Sequence, residues 1–412
     1  MGPSGGMIYR VLWRVGASSS GEVVGRAVNI LVPFALLAIH RAGASTDAFF
    51  LAAAVAFFVH GTLANVVVSA LVPEFVHAGG GRRGIRQFAC RAFLVGALAG
   101  IVTAVVVGPN PSYAGTAIAA LAVTLMAATG LVAAAAAAMF YSQHRYFVPG
   151  VTWALRLVPL AVYVWWRPPA DALYWLLAGF GLADLARTAI LLACARSRLC
   201  LGRGWPPLRI PKSASPLMLG TLIIGLIPLW VRWVAGHGAE GDLSIFEAAD
   251  RLYGAVASLA TIGMGNVVLV YLTRVEPAQE GERAWRWVLV ASGAWSLLWL
   301  GVGVLLWKYF VLGPILLPHQ GETVAIVVND TFLVLVLGMP GFIMTIVLSR
   351  RLLAVDRARD LVPISVVSLI GTGIGAWLLY GPYGTIGIAA AISATQYLIA
   401  SLMFRALAVK AR

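Results

Sequence analysis

Long apolar stretches recur along the whole sequence, and they limit the chain to one kind of fold. Each stretch is about 20 residues long, the length that an α-helix needs to cross the hydrocarbon core of a membrane. Hydrophobic residues make up 60% of the chain and charged residues 11%, whereas about a quarter of a typical soluble protein is charged. No stretch has the alternating pattern of an outer-membrane barrel. The sequence therefore predicts an all-α polytopic membrane protein.

The apolar stretches predict about twelve transmembrane helices in two six-helix lobes. They lie at about residues 20–40, 47–72, 91–109, 114–141, 147–166, 172–194, 216–236, 245–272, 288–307, 324–349, 362–380 and 384–404. The predicted domains are an N-terminal lobe (1–200), a cytoplasmic linker (201–215) that is basic and Pro-rich, and a C-terminal lobe (216–412).

A weak internal repeat supports this division. A shift of 195 positions pairs Gly25 with Gly220, Leu31 with Leu226 and Pro33 with Pro228. Six spans per half would give two repeats of the same orientation, and such transporters bind their substrate at the repeat interface. Pro33 and Pro228 would then break the first helix of each half, either as part of a gate or as a plain packing kink.

The distribution of positive charge along the chain predicts which segments lie in the cytoplasm. With both termini in the cytoplasm, most of the 30 lysines and arginines fall in cytoplasmic segments, and only Arg41, Arg167 and Lys308 lie on the opposite side. This follows the positive-inside rule and gives no support to nucleic-acid binding. We expect a multi-pass protein of the bacterial cytoplasmic (inner) membrane.

Ionisable residues inside the spans are the candidates for function, because such residues usually face each other or a transport path. In the stretch SIFEAADRLYG, Glu247 and Arg251 are four residues apart and can pair on one helix face. Asp184 and Arg187, three apart, can do the same. Two further arginines near span ends, Arg156 and Arg232, can instead reach the headgroup boundary.

Arg26 and Arg251, one in each half, are the strongest candidates for substrate binding. Guanidinium groups form bidentate hydrogen bonds with phosphate and stay charged when buried. Nearby carboxylates such as Glu247 and Asp250 would tune that charge or bind a coupling cation. The three cysteines have no spacing typical of a metal site, so no metal or other cofactor is expected.

Several stretches resemble the MurJ/MviN lipid II flippases of the multidrug/oligosaccharidyl-lipid/polysaccharide (MOP) exporter superfamily. They are GASTDAFFLA (43–52), RYFVPG (145–150), ADRL (249–252), the segment from GMPGF to DLVP (338–363) and GTIGIAAAIS (384–393). The resemblance implies a two-lobe transporter in which Arg26 and Arg251 engage the pyrophosphate of a lipid, and it makes Asp47 a signature acid.

The sequence also departs from that family. Val32 and His60 stand where the family typically has arginines, and Asn65 lies near the place of a Glu-Gly pair. A protonated His60 could replace one missing arginine. MurJ proteins usually carry two more spans than the twelve predicted. The resemblance therefore supports the transporter fold more strongly than it supports lipid II as the substrate.

We expect a monomeric flippase that moves a polyprenyl-pyrophosphate-linked saccharide, either lipid II or an exopolysaccharide or O-antigen unit, by alternating access. Coupling to Na+, H+ or the membrane potential is expected, with Asp47, Asn65, Glu247 and Asp250 in the cavity. The alternative is a cation-coupled exporter of small molecules. An enzyme acting on the same lipids is disfavoured, because no loop is long enough to form a catalytic domain.

Overall fold

The computed structural model describes residues 30–77, 83–107, 113–143, 145, 147–195, 199–200, 215–261, 278–310, 321–355 and 357–408. Within these ranges, nine helices are long and apolar enough to cross a membrane, and Ile30–His40 is a shorter apolar helix. The predicted all-α membrane fold is confirmed. The count of twelve spans is compatible with these helices, because Leu361–Ala408 covers two predicted spans.

The chain divides into two compact units. The first consists of Met1–His40 and Ala44–Ile210, and the second of Arg41–Gly43 and Pro211–Arg412. The helices of the first unit are α1 (Ile30–His40), α2 (Ala44–Phe58), α3 (Ala64–His77), α4 (Arg86–Val107), α5 (Tyr113–Ser142), α6 (Phe147–Val151), α7 (Leu157–Trp166) and α8 (Leu173–Ala195). A π-helical segment, Val59–Leu63, joins α2 to α3, and a 3-10 segment, Thr152–Arg156, joins α6 to α7.

The second unit contains α9 (Ser215–Gly236), α10 (Asp242–Thr261), α11 (Ala278–Phe310), α12 (Glu322–Leu337), α13 (Met339–Ala354) and α14 (Leu361–Ala408). Within α14 the backbone leaves helical geometry at Gly384, where φ is 55°. A left-handed φ favours glycine, and Pro382 stands two residues earlier. The kink lies where the sequence predicts the boundary between the last two spans.

Small residues allow the helices of the first unit to pack closely. Gly96 and Gly100 of α4 face α5, where an added Cβ would meet the backbone and side chains of Ala120, Thr124 and Ala128. Close approach through small residues four apart is a common way for membrane helices to associate. The alanine-rich second half of α5 is buried, so this helix is the centre of the unit.

One short pairing completes the first unit. Residues Arg83–Gly84 (β1) and Leu199–Cys200 (β2) form a two-residue parallel ladder, with Arg83 opposite Leu199. The ladder joins the segment before α4 to the segment after α8.

Candidate functional site

Each unit contains a cluster of charged side chains inside its helices. The second-unit cluster consists of Arg232 from α9 and Glu247, Asp250 and Arg251 from α10. These two helices form a hairpin whose turn contains Gly241 with a positive φ of 93°. The hairpin brings Arg232 alongside the acidic face of α10.

Arg232 is the centre of the second-unit cluster. Its Nε donates to Glu247 Oε1, and its Nη2 lies 2.7 Å from Asp250 Oδ2. Glu247 also accepts a hydrogen bond from Arg251 Nε, 3.1 Å from Oε2, so the predicted pairing of Glu247 with Arg251 is confirmed. The Glu247 side chain is 1% exposed, whereas those of Asp250 and Arg251 are 28% and 20% exposed. Asp250 and Arg251 therefore form the accessible edge of the cluster.

The first-unit cluster consists of His60, Arg156, Asp184 and Arg187, all of them buried. Arg156 binds Asp184 through two parallel hydrogen bonds, Nε to Oδ1 at 2.9 Å and Nη2 to Oδ2 at 2.6 Å. This fork-to-fork geometry is among the strongest side-chain interactions of arginine.

Arg187 uses different partners from those that the sequence suggests. Its Nε donates to Thr152 Oγ1 at 3.3 Å, and its guanidinium carbon lies 3.8 Å from the centre of the Trp153 ring. Arg156 also lies over that ring, at 4.7 Å. Arg156, rather than Arg187, is therefore the arginine that is hydrogen-bonded to Asp184.

His60 lies in the π-helical segment and contacts the same cluster. Its Nε2 is 3.0 Å from Asp184 Oδ2, and its ring packs edge-on against Trp153. On the other side is Gly130 of α5, where an added Cβ would overlap the imidazole. A π-helical turn inside an α-helix often marks a functional position, and here it carries the one histidine of the cluster.

The other predicted site residues are dispersed. Arg26 lies outside the described residues. Asp47 is buried in the first turn of α2, where a carboxylate is favoured by the helix dipole. Asn65 is exposed, and its Nδ2 donates to Gly61 O. The structure thus brings Glu247, Asp250 and Arg251 together in the second unit and places His60, Asp47 and Asn65 in the first.

Arg156 and Arg232 are members of the clusters that sequence reasoning missed. The expectation that they reach the headgroup boundary is corrected by their burial and by their carboxylate partners. The sequence did contain a sign of the contact between Arg232 and Glu247. The two residues are at nearly equal distances from the turn between α9 and α10, so they lie at a similar height in the hairpin. Arg156 and Asp184 flank the break at residues 167–172 in the same way.

The chemistry of both clusters is ionic. In the part of the chain that the structure describes, no group of three or more His, Cys, Asp and Glu side chains could hold a metal ion. The groups present are guanidinium ions, carboxylates and one imidazole. They can bind anions, bind cations or pair with each other inside the membrane.

Comparison with known proteins identifies the fold. No protein-family model and no curated protein matches the sequence. Among solved structures, the lipid II flippase MurJ in an inward closed conformation matches with a TM-score of 0.76 at 13% identity, over 95% of this chain and 87% of that one.

Multidrug transporters match over similar lengths. An inward-facing MATE family transporter of the MOP superfamily has a TM-score of 0.67 at 12% identity, over 96% of this chain and 94% of that one. The Vibrio cholerae MATE transporter VcmN has a TM-score of 0.64 at 14% identity, over 96% and 97%. The chain therefore has the same fold as these solved MurJ and MATE structures, and its long apolar helices are those of a multi-pass membrane protein.

Proposed function

We propose that the protein is a flippase that moves a polyprenyl-pyrophosphate-linked saccharide across the bacterial cytoplasmic membrane by alternating access. The observation that carries the proposal is the likeness to the MurJ lipid II flippase over 95% of the chain. Buried arginines in both units add to it, since guanidinium is the side chain best suited to phosphate groups. Lipid II and an exopolysaccharide or O-antigen unit are the candidate cargoes.

Arg251 is the described residue best placed to hold the pyrophosphate. It lies at the accessible edge of the second-unit cluster, and its hydrogen bond to Glu247 fixes the direction of the guanidinium. Arg26 and a protonated His60 are proposed as further substrate-binding residues. Asp47 and Asn65 are proposed to face the transport path, and the protein is proposed to act as a monomer with both termini in the cytoplasm.

A second candidate function is the export of small organic molecules coupled to a cation. It is supported by the likeness to MATE transporters, which covers as much of the chain as the likeness to MurJ, at lower TM-scores. It requires a carboxylate that binds the coupling ion, and Glu247 and Asp250 are the described candidates in the second unit.

Depletion of the protein in its own cells distinguishes these functions. A flippase should leave one polyprenyl-linked glycan accumulated on the cytoplasmic leaflet, where mass spectrometry of extracted lipids identifies it. Unchanged lipid-linked glycans, together with increased retention of small organic molecules, would instead favour the exporter.

Substitution of Arg251 tests the site itself. R251A should abolish flipping, and R251K should retain only part of it, because an ammonium group lacks the bidentate fork of guanidinium. R405A is the matched control, since Arg405 is an exposed arginine near the end of α14. Normal flipping by R251A in proteoliposomes would exclude the proposed role.

A further inference from the structure

The carboxylates that could bind a coupling cation in the second unit already surround a cation of the chain itself. The guanidinium of Arg232 donates to Glu247 Oε1, to Asp250 Oδ2 and to the backbone oxygen of Pro228, the last at 3.1 Å. Two carboxylate oxygens and a backbone carbonyl oxygen are the kind of ligands that hard metal cations take in proteins. The guanidinium therefore occupies a position that suits a small cation.

The charges of the second-unit cluster balance without an external ion. Glu247 and Asp250 supply two negative charges, and Arg232 and Arg251 supply two positive charges. Arg232 is 7% exposed and Glu247 1% exposed, so both charges depend on partners inside the protein. A third cation at these carboxylates would leave the buried cluster with a net positive charge, which the surrounding apolar helices would oppose.

We propose that Arg232 is a built-in cation that fills the position of a Na+-like coupling ion at Glu247 and Asp250, so that the second unit does not bind Na+ there. The proposal adds to the proposed function and depends on it in one respect, that the chain is a transporter. It assigns Arg232 as a positioning residue, which holds Glu247 for Arg251. It also removes these two carboxylates from the candidates for ion coupling.

The proposal can be tested by removing the charge of Arg232 from the cluster. Without the charge of Arg232, Glu247 and Asp250 would share the single positive charge of Arg251, and the vacated space would be lined by oxygens. An added monovalent cation should then bind and stabilise the folded protein, because any ligand that binds the folded state alone raises its stability. The variant should acquire a dependence on Na+ that the natural protein lacks.

Thermal unfolding of the purified full-length protein in detergent, with NaCl exchanged for choline chloride at constant ionic strength, measures this dependence. The wild type should unfold at the same temperature in both salts. R232M, which keeps the aliphatic stem of the side chain but lacks the guanidinium group, should unfold a few degrees higher in NaCl than in choline chloride. R232K keeps the charge and should behave as the wild type, as should R405A.

The double variant R232M/E247Q supplies the decisive control, because it should lose the Na+ effect along with one ligand charge. The proposal is overturned if folded R232M is insensitive to Na+, or if R232M and R232M/E247Q are stabilised by Na+ to the same extent. If R232M does not fold, the wild type is compared with E247Q in the two salts. The proposal is overturned if Na+ stabilises the wild type and E247Q abolishes that stabilisation. Because every measurement here is the Na+ dependence of the unfolding temperature, a negative result in a flippase assay does not affect its interpretation.

Discussion

Arg156 and Asp184 form a bidentate ion pair inside the first unit, in which both side chains are almost completely enclosed by the protein. The pair joins the 3-10 segment before α7 to the middle of α8. A buried charge is tolerated only with a well-placed partner. Each residue of the pair therefore depends on the other.

Removing one partner of this pair should be strongly destabilising. We expect D184N to lower the free energy of unfolding by about 3–5 kcal/mol, because it leaves the charge of Arg156 buried without compensation. The double variant R156M/D184N should recover part of the loss. Thermal unfolding in detergent measures both, with R91M as a control at an exposed arginine of α4. A double variant that is less stable than D184N would contradict the interpretation.

The membrane class could be predicted from the sequence because each span must be long and apolar regardless of its neighbours. The pairing of Glu247 with Arg251 could be predicted for a similar reason, since both lie one turn apart on a single helix. Pairs between helices are harder, because they depend on how two helices rotate about their axes. Asp184 illustrates this: a local partner, Arg187, was available, but Arg156 in the neighbouring helix has the better geometry.

Gly130 provides the space that the His60 ring occupies. G130A would place a methyl group in the position of the imidazole, and we expect a loss of about 1–3 kcal/mol, as is typical of overpacking in a core. The double variant H60A/G130A should be more stable than G130A alone, because the obstructing ring is gone. A double-mutant cycle by thermal unfolding measures this coupling.

A matched control for that cycle is available in α11. G293A adds a methyl group where no atom lies within 4 Å, and it should be neutral or slightly stabilising because alanine favours helix. Equal unfolding temperatures for G130A and the wild type would show that His60 can move aside without cost.

The environment of His60 could not be predicted from sequence. The π-helical turn at Val59–Leu63 shifts the side chains by one position relative to an ideal helix, and apolar sequence on both sides gives no sign of it. The spacing of charged residues along the sequence does not reveal the contact between His60 and Asp184 either, because the two residues are in different helices. Only the fold brings Gly130, Trp153 and Asp184 around the imidazole.

The glycines of α4 should control the packing of the first unit. G96A and G100A each place a Cβ against α5, closest to Thr124 in both cases, so we expect the double variant to unfold at a clearly lower temperature. Gly301 of α11 is a control, since a Cβ at that position meets no atom within 4 Å. Unfolding temperatures equal to that of G301A would show that α4 and α5 do not need close approach.

Tyr380 joins α14 to the turn before α10. Its hydroxyl donates to Asp242 Oδ2 at 2.6 Å and accepts from Ala239 N at 2.7 Å. Y380F should therefore cost about 1–2 kcal/mol, since it removes a hydrogen bond to a charged group and another to the backbone.

The ring of Tyr380 also explains why residue 238 is glycine, because an added Cβ there would overlap the phenol. G238A should consequently destabilise the turn, and more so with Tyr380 intact than in a Y380A background. Y383F is the control for loss of a hydroxyl, since Tyr383 is 63% exposed. Hydrogen exchange at the start of α10 provides the measurement: faster exchange in Y380F and G238A, but not in Y383F, is expected. Unchanged exchange in Y380F would mean that the turn is held by its own backbone hydrogen bonds, such as that from Asp242 N to Ala239 O.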